Sequence, residues 1–265
     1  KTLELANGKN NTIKGAGTVL TITNGTINID NVVVGGNAII EVGSASYENC
    51  VLNLNDVTLE GANYSSAYAV IYVRKNSTLN VNGSAITLEN ELGSSGGALK
   101  GDAAESVINI TDSTLTLTDA NRGFITGTFN VKDSTVTMTG TGDGTGSFDN
   151  GMNSVALTLD NSAVTISGGT GRGITIRDGY DTLVTNGSTL TISDMGEGDI
   201  QFRSNDTLTA TGGSTVTAGT VNYEGSGATE TIDNLLVADA TSTVPTFEAQ
   251  IGQTLYATLA EGLAS

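Results

Sequence analysis

The residues able to do chemistry are unevenly spread along this chain. Arg74, Lys75, Lys100, Arg122, Arg172, Arg177 and Arg203 recur beside Tyr68, Tyr72, Tyr180 and Phe202, whereas the acidic residues are scattered. Guanidinium and ammonium groups beside aromatic rings can hold a carboxylate and stack on an apolar ring face. Arg172, Arg177, Asp178, Tyr180 and Arg203 form the densest such group, and Lys100 and Tyr72 join them as candidate ligand-binding residues. The plain alternative is a set of cations that solvate the surface and pair with acidic neighbours.

Other mechanisms are excluded at once. The chain has no His, which removes histidine triads and His-liganded zinc. An enzyme here would have to work with carboxylates, Arg, Lys or Tyr, so the reading leans against catalysis. In the stretch 139–153, Asp143 and Asp149 lie among glycines whose carbonyls would wrap a Ca²⁺, although the spacing fits neither an EF-hand nor the nonapeptide calcium repeat. The alternative there is a mobile loop, and no other cofactor is expected. Cys50 stands alone, so no internal disulfide forms and a buried small hydrophobe is expected.

The elements that must position these groups come from a short repeat. An aliphatic-polar-aliphatic triplet, a turn and an aliphatic-Thr-aliphatic triplet recur, as in Leu79-Asn80-Val81 with Ile86-Thr87-Leu88 and Ile108-Asn109-Ile110 with Leu115-Thr116-Leu117. Thr58, Thr87, Thr116, Thr137, Thr165, Thr191 and Thr217 mark its copies, and Ile27-Asn28-Ile29 with Val32-Val33-Val34 reads as an early one. Period-two alternation makes these pieces strands with aliphatic residues inward. A third strand precedes each pair, at 38–42, 69–73, 97–101, 123–126, 173–177, 199–203 and 220–224. Constant strands joined by variable loops define a solenoid of about eight three-strand coils. Its tight corner between second and third strands is rich in Asn, Asp and Gly, which tolerate positive φ.

Outward Thr pairs such as Thr114/Thr116 and Thr189/Thr191 would form a flat array. Matching hydroxyls and methyls to ordered water, it offers an ice-binding alternative, against which stands the ordinary strand preference of Thr. The Asn row at 28, 53, 80, 109 and 130 is weighed in the same way.

The 265 residues include 35 Gly, one Pro and no Trp, and carry a net charge of -17. Such a chain fills a narrow core rather than a bulky one. Its acidic field opposes nucleic acid and anionic membranes, and no apolar run approaches a membrane span. The chain reads as a fragment of a longer, multi-module protein whose signal and anchor lie elsewhere.

The opening from Leu3 to Ile22, with Gly8, Gly15 and Gly17, followed by Gly25-Thr26-Ile27-Asn28-Ile29-Asp30-Asn31-Val32, resembles pectate-lyase-like right-handed parallel β-helix repeats of large surface proteins in Gram-positive gut bacteria. The resemblance covers residues 1–225 and implies an all-β, right-handed solenoid. Residues 226–265 read as a C-terminal capping or inter-module junction segment, and within them Phe247 to Ala264 is similar to the segment that opens such modules, where a short hairpin precedes a capping helix, here near Thr258 to Ala264. It also implies that acidic saccharides are held on the first-strand face by Arg and Lys, with Ca²⁺ bridged by Asp. The Arg-x-Pro-x-x-Arg element of the lyases is missing, since Arg172 and Arg177 have no Pro between them. The expectation is an extracellular, non-catalytic adhesin-like or spacer module that binds a glycan or host surface protein, with a carbohydrate-active enzyme as the alternative.

Overall fold

The computed structural model describes residues 2–223 except 5–10, 14, 35–37, 67, 93–95, 141–149 and 204–205, and beyond them four short strands between 235 and 256. The described residues contain no helix. They form a parallel β-solenoid of about seven turns, close to the eight that the motif count predicts.

Each turn contributes a first, a second and a third strand. The third strands stack into one ten-stranded parallel sheet, and the first and second strands share the other large sheet. Register is kept from turn to turn, as Leu79 pairs with Leu52 and Ile108, and Ile86 with Leu59 and Leu115. The aliphatic residues point into one continuous column in which Leu54, Leu79, Val81, Ile110, Leu117 and Leu159 are fully buried. Each such side chain contributes roughly 1.5–3 kcal/mol, and the column is continuous because every layer buries the next. Cys50 is a buried free thiol within it.

Three expectations need correction. Ile27-Asn28-Ile29 does not begin a second strand: Thr26–Asn28 pairs with Thr58 to Glu60 in the third-strand sheet, and Val19–Thr23 is the second strand of that turn. Thr58 pairs with Ala85, so Glu60, not Thr58, occupies the position of Thr87. The reason is Gly61, which replaces the inward aliphatic residue there because a Cβ would stand 2.2 Å from Ile29 Cγ1. Finally, the stretch 139–153 is not all loop, since Asn150–Asp160 is one strand that fuses the first and second strands of its turn, as Phe124–Lys132 does in the turn before. The corner between them shrinks to a bend at the positive-φ residues Thr126 and Gly127, and at Ser154.

Asp143 and Asp149 lie outside the described residues, as does the segment from Thr258 to Ala264. Before that segment, Ala249–Ile251 and Thr254–Tyr256 pair antiparallel. Past residue 225, Leu235–Val237 and Thr241–Ser242 continue the parallel ladders.

The corner between second and third strands is built from two devices. Asp56, Gly83, Asp112, Asp133 and Asn161 take left-handed φ of 48–57°, which these residue types adopt at least cost. The residue that follows is a buried Ser in turn after turn. The Ser113 N–H donates to Ser134 Oγ at 3.0 Å, Ser134 N–H to Ser162 Oγ at 3.1 Å, and Ser162 N–H to Ser188 Oγ at 3.0 Å. Each hydroxyl then donates to carbonyls of its own corner, as Ser162 Oγ does to Asp160 O at 2.9 Å. A buried serine ladder therefore satisfies backbone groups that the tight corner would otherwise orphan.

Candidate functional site

The outward row of the first strands runs Glu41, Tyr72, Lys100, Ile125, Asn153, Thr175 and Gln201, each in register with the next. Tyr72 and Lys100 are therefore neighbours across two turns. Two residues further along the chain, Arg74 and Asp102 follow them on the same side of the sheet, because side chains alternate with period two.

The six residues Glu41, Tyr68, Tyr72, Arg74, Lys100 and Asp102 form one cluster. Arg74 Nε donates to Glu41, Tyr72 OH donates to Asp102, and Arg74 Nη1 donates to Tyr72 OH at 3.2 Å. The Arg74 guanidinium lies 4.3 Å from the centre of the Tyr72 ring. Lys100 Nζ sits 5.3 Å from the Tyr68 ring and 5.1 Å from the Tyr72 ring, and the two rings are 5.7 Å apart.

Within this cluster the groups differ in how much they have left to give. Arg74, Glu41 and Asp102 are tied to one another, and Tyr72 is buried. Tyr68 is 42% exposed, and the Lys100 ammonium makes no hydrogen bond or ion pair with the described residues. Burial pulls the Lys100 pKa below its ordinary value, with Arg122 and Arg74 acting in the same direction and Asp102 opposing them. Burial and the hydrogen bond to Asp102 raise the Tyr72 phenol above its ordinary value. The chemistry on offer is an aromatic face beside an unspent cation.

The structure divides the remaining predicted residues. Arg177 Nε meets Asp178 Oδ2 at 2.8 Å and Ser154 Oγ at 2.9 Å. Tyr180 is close enough to Asp178 and Glu105 for both to raise its pKa, after burial. Arg172 starts the strand that Arg177 follows, and it pairs with Glu197 at 2.9 Å. Five residues of strand put the two arginines roughly 17 Å apart along the sheet, so they do not form one site. Arg203 follows the strand Gly198–Phe202, and its N–H donates to Ile176 O.

Sequence reading missed Glu41 and Asp102 as members of the cluster. The signal was present, since aligning Ile40-Glu41-Val42 with Ile71-Tyr72-Val73-Arg74 and Leu99-Lys100-Gly101-Asp102 places them together.

No known protein family, curated protein or solved structure matches the chain.

Proposed function

We propose that this protein is a non-catalytic, extracellular binding module, a rod within a longer surface protein, that takes a carboxylated saccharide on its first-strand face. The observation that carries this reading is Lys100, whose ammonium lies beside two tyrosine rings, 5.3 and 5.1 Å from their centres, with its donors unspent among the described residues. A uronate-type sugar suits that arrangement, with its carboxylate on Lys100 and its C–H face on the exposed Tyr68 ring. The resemblance to pectate-lyase-like repeats of Gram-positive surface proteins supports the same ligand class and location.

A second reading, a lyase-like enzyme, draws on the lowered pKa of Lys100, because a desolvated lysine beside a tyrosine is a base in waiting.

The test is a glycan array with the 265-residue chain, followed by titration of a polyuronate and of its carboxyl-reduced form. Binding should appear only for the carboxylated polymer and fall by at least about tenfold in Lys100→Met, the loss of one charge-assisted contact. Affinity equal for both polymers, or unchanged in Lys100→Met, removes the reading. Release of unsaturated products would transfer the site to the enzyme class.

A further inference from the structure

A second surface is chemically unlike everything around it. On the strands Thr114–Thr118, Thr135–Thr139, Ala163–Ser167, Thr189–Ser193 and Thr215–Ala218, every outward residue is Thr except Ala163, Ser167 and Ser193. These positions are in register, with Thr116 aligned to Thr137, Thr165, Thr191 and Thr217. No charged residue interrupts this face across five turns, in a chain with 39 charged residues, 11 basic and 28 acidic.

The hydroxyls of this face make no hydrogen bond with the described residues. That is unusual for a ladder of identical polar residues, and the second-strand sheet provides the control. There Asn53, Asn80, Asn109 and Asn130 pair with one another along the whole row, at 2.8–2.9 Å. The threonines are stacked as regularly, and among the described residues their hydroxyls have no partner.

Strand preference alone does not select for this pattern, because the second strands obey the same preference and carry Asn, Lys, Asp and Leu183 outward. A β-branched side chain has a stiff χ1, so each Thr holds its methyl and hydroxyl in a fixed direction. The grid repeats at about 4.8 Å between turns and about 6.7 Å between alternate residues of a strand. Water hydrogen-bonded to the hydroxyls in the troughs of such a grid would be ordered in two dimensions. A charge would turn neighbouring waters toward itself and break that order, and none is present. The turn-to-turn repeat lies close to the oxygen repeat along one axis of hexagonal ice.

We propose that the third-strand face from Thr114 to Thr217 is a binding site for ordered water in the form of an ice surface. It is independent of the saccharide reading, since it lies on the other large sheet and shares no residue with the Tyr72 and Lys100 cluster.

The experiment measures thermal hysteresis and ice-crystal shape for the whole chain and for two variants. Thr165→Lys places an ammonium at the centre of the face, and Thr209→Lys places the same group on the outward row of a second strand. The expected result is faceted crystals and hysteresis for the native chain, kept within about twofold by Thr209→Lys. Thr165→Lys should reduce it at least about tenfold, since a charge pressed on the lattice is desolvated without a partner. Circular dichroism establishes that both variants fold. Round crystals with no hysteresis at millimolar concentration would overturn the proposal. So would equal losses in the two variants, or a dimer of the native chain, seen by sedimentation, that Thr165→Lys dissolves.

Discussion

The Asn row of the second strands and the Thr rows of the third strands are built on the same scaffold, one corner apart, and they use polarity in opposite ways. Each Asn amide donates to the one below, so the row closes on itself and ties turn to turn, as Asn109 Nδ2 does to Asn80 Oδ1 at 2.8 Å. The Thr rows make no such bonds among the described residues. The buried serines of the intervening corner lie at the far end of this scale, with their hydroxyls committed to backbone groups on both sides. A regular ladder is thus no guide to its purpose until the partners of its polar atoms are known.

The comparison can be sharpened by removing polar groups and ranking the loss. The largest effect is expected at Glu91, a buried carboxyl of which only one oxygen is hydrogen-bonded. Its Oε2 accepts from Asn121 N–H at 3.1 Å, but its Oε1 is buried and finds no partner among the described residues, as is true of the nearby Ser66 Oγ and Tyr64 OH. Burial raises its pKa to about 7, with the Asn121 N–H and Arg122 opposing. The folded state therefore holds this proton more tightly than the unfolded chain. Below about pH 4.5 both states are protonated, and between there and about pH 7 the unfolded chain loses its proton first. Stability should fall by roughly 3 kcal/mol across that window and level off above it. Denaturant titrations at a series of pH values should show this slope as a difference from Glu91→Gln, and parallel curves would disprove the burial of the carboxyl.

Next is Ser134→Ala, which leaves the Ser113 N–H buried without an acceptor. A loss of about 1–3 kcal/mol is expected in urea unfolding, and a change below about 0.5 kcal/mol would mean that water replaces the hydroxyl. Asn109→Ala breaks the bonds to Asn80 and from Asn130 at a half-buried site. It should cost about 1 kcal/mol, and its hydrogen-exchange signature should be confined to adjoining turns. The smallest effect belongs to Thr137→Ala, within about 0.5 kcal/mol, because that hydroxyl supports nothing inside the protein. A larger loss would show that the Thr face contributes to stability and erase the contrast.

Much of this was legible in the sequence, for stated reasons. Alternation in triplets such as Ile108-Asn109-Ile110 reveals strands because one core column has to be filled from every turn. The Thr alignment from Thr87 to Thr217 follows from constant corner lengths. It failed at Thr58, where Gly61 breaks the aliphatic pattern and only contact with Ile29 explains the glycine. The serine ladder was visible as Asp112-Ser113-Thr114, Asp133-Ser134-Thr135 and Asn161-Ser162-Ala163, but Ser reads as an ordinary loop residue until burial is known. The cation cluster was half legible. Tyr72 and Lys100 stand out by type, whereas Glu41 and Asp102 join them only through register, and Arg172 and Arg177 are near in sequence but fall at opposite ends of one strand.

The direction of the backbone hydrogen bonds has a mechanical consequence. They run along the stacking axis between successive turns, so a pull on the two ends loads the interfaces in series and opens them one at a time. Each released turn of 21 to 32 residues would pay out roughly 70–110 Å of chain. A rod of this kind yields in steps under tension, lengthening severalfold while the turns still stacked keep their faces intact.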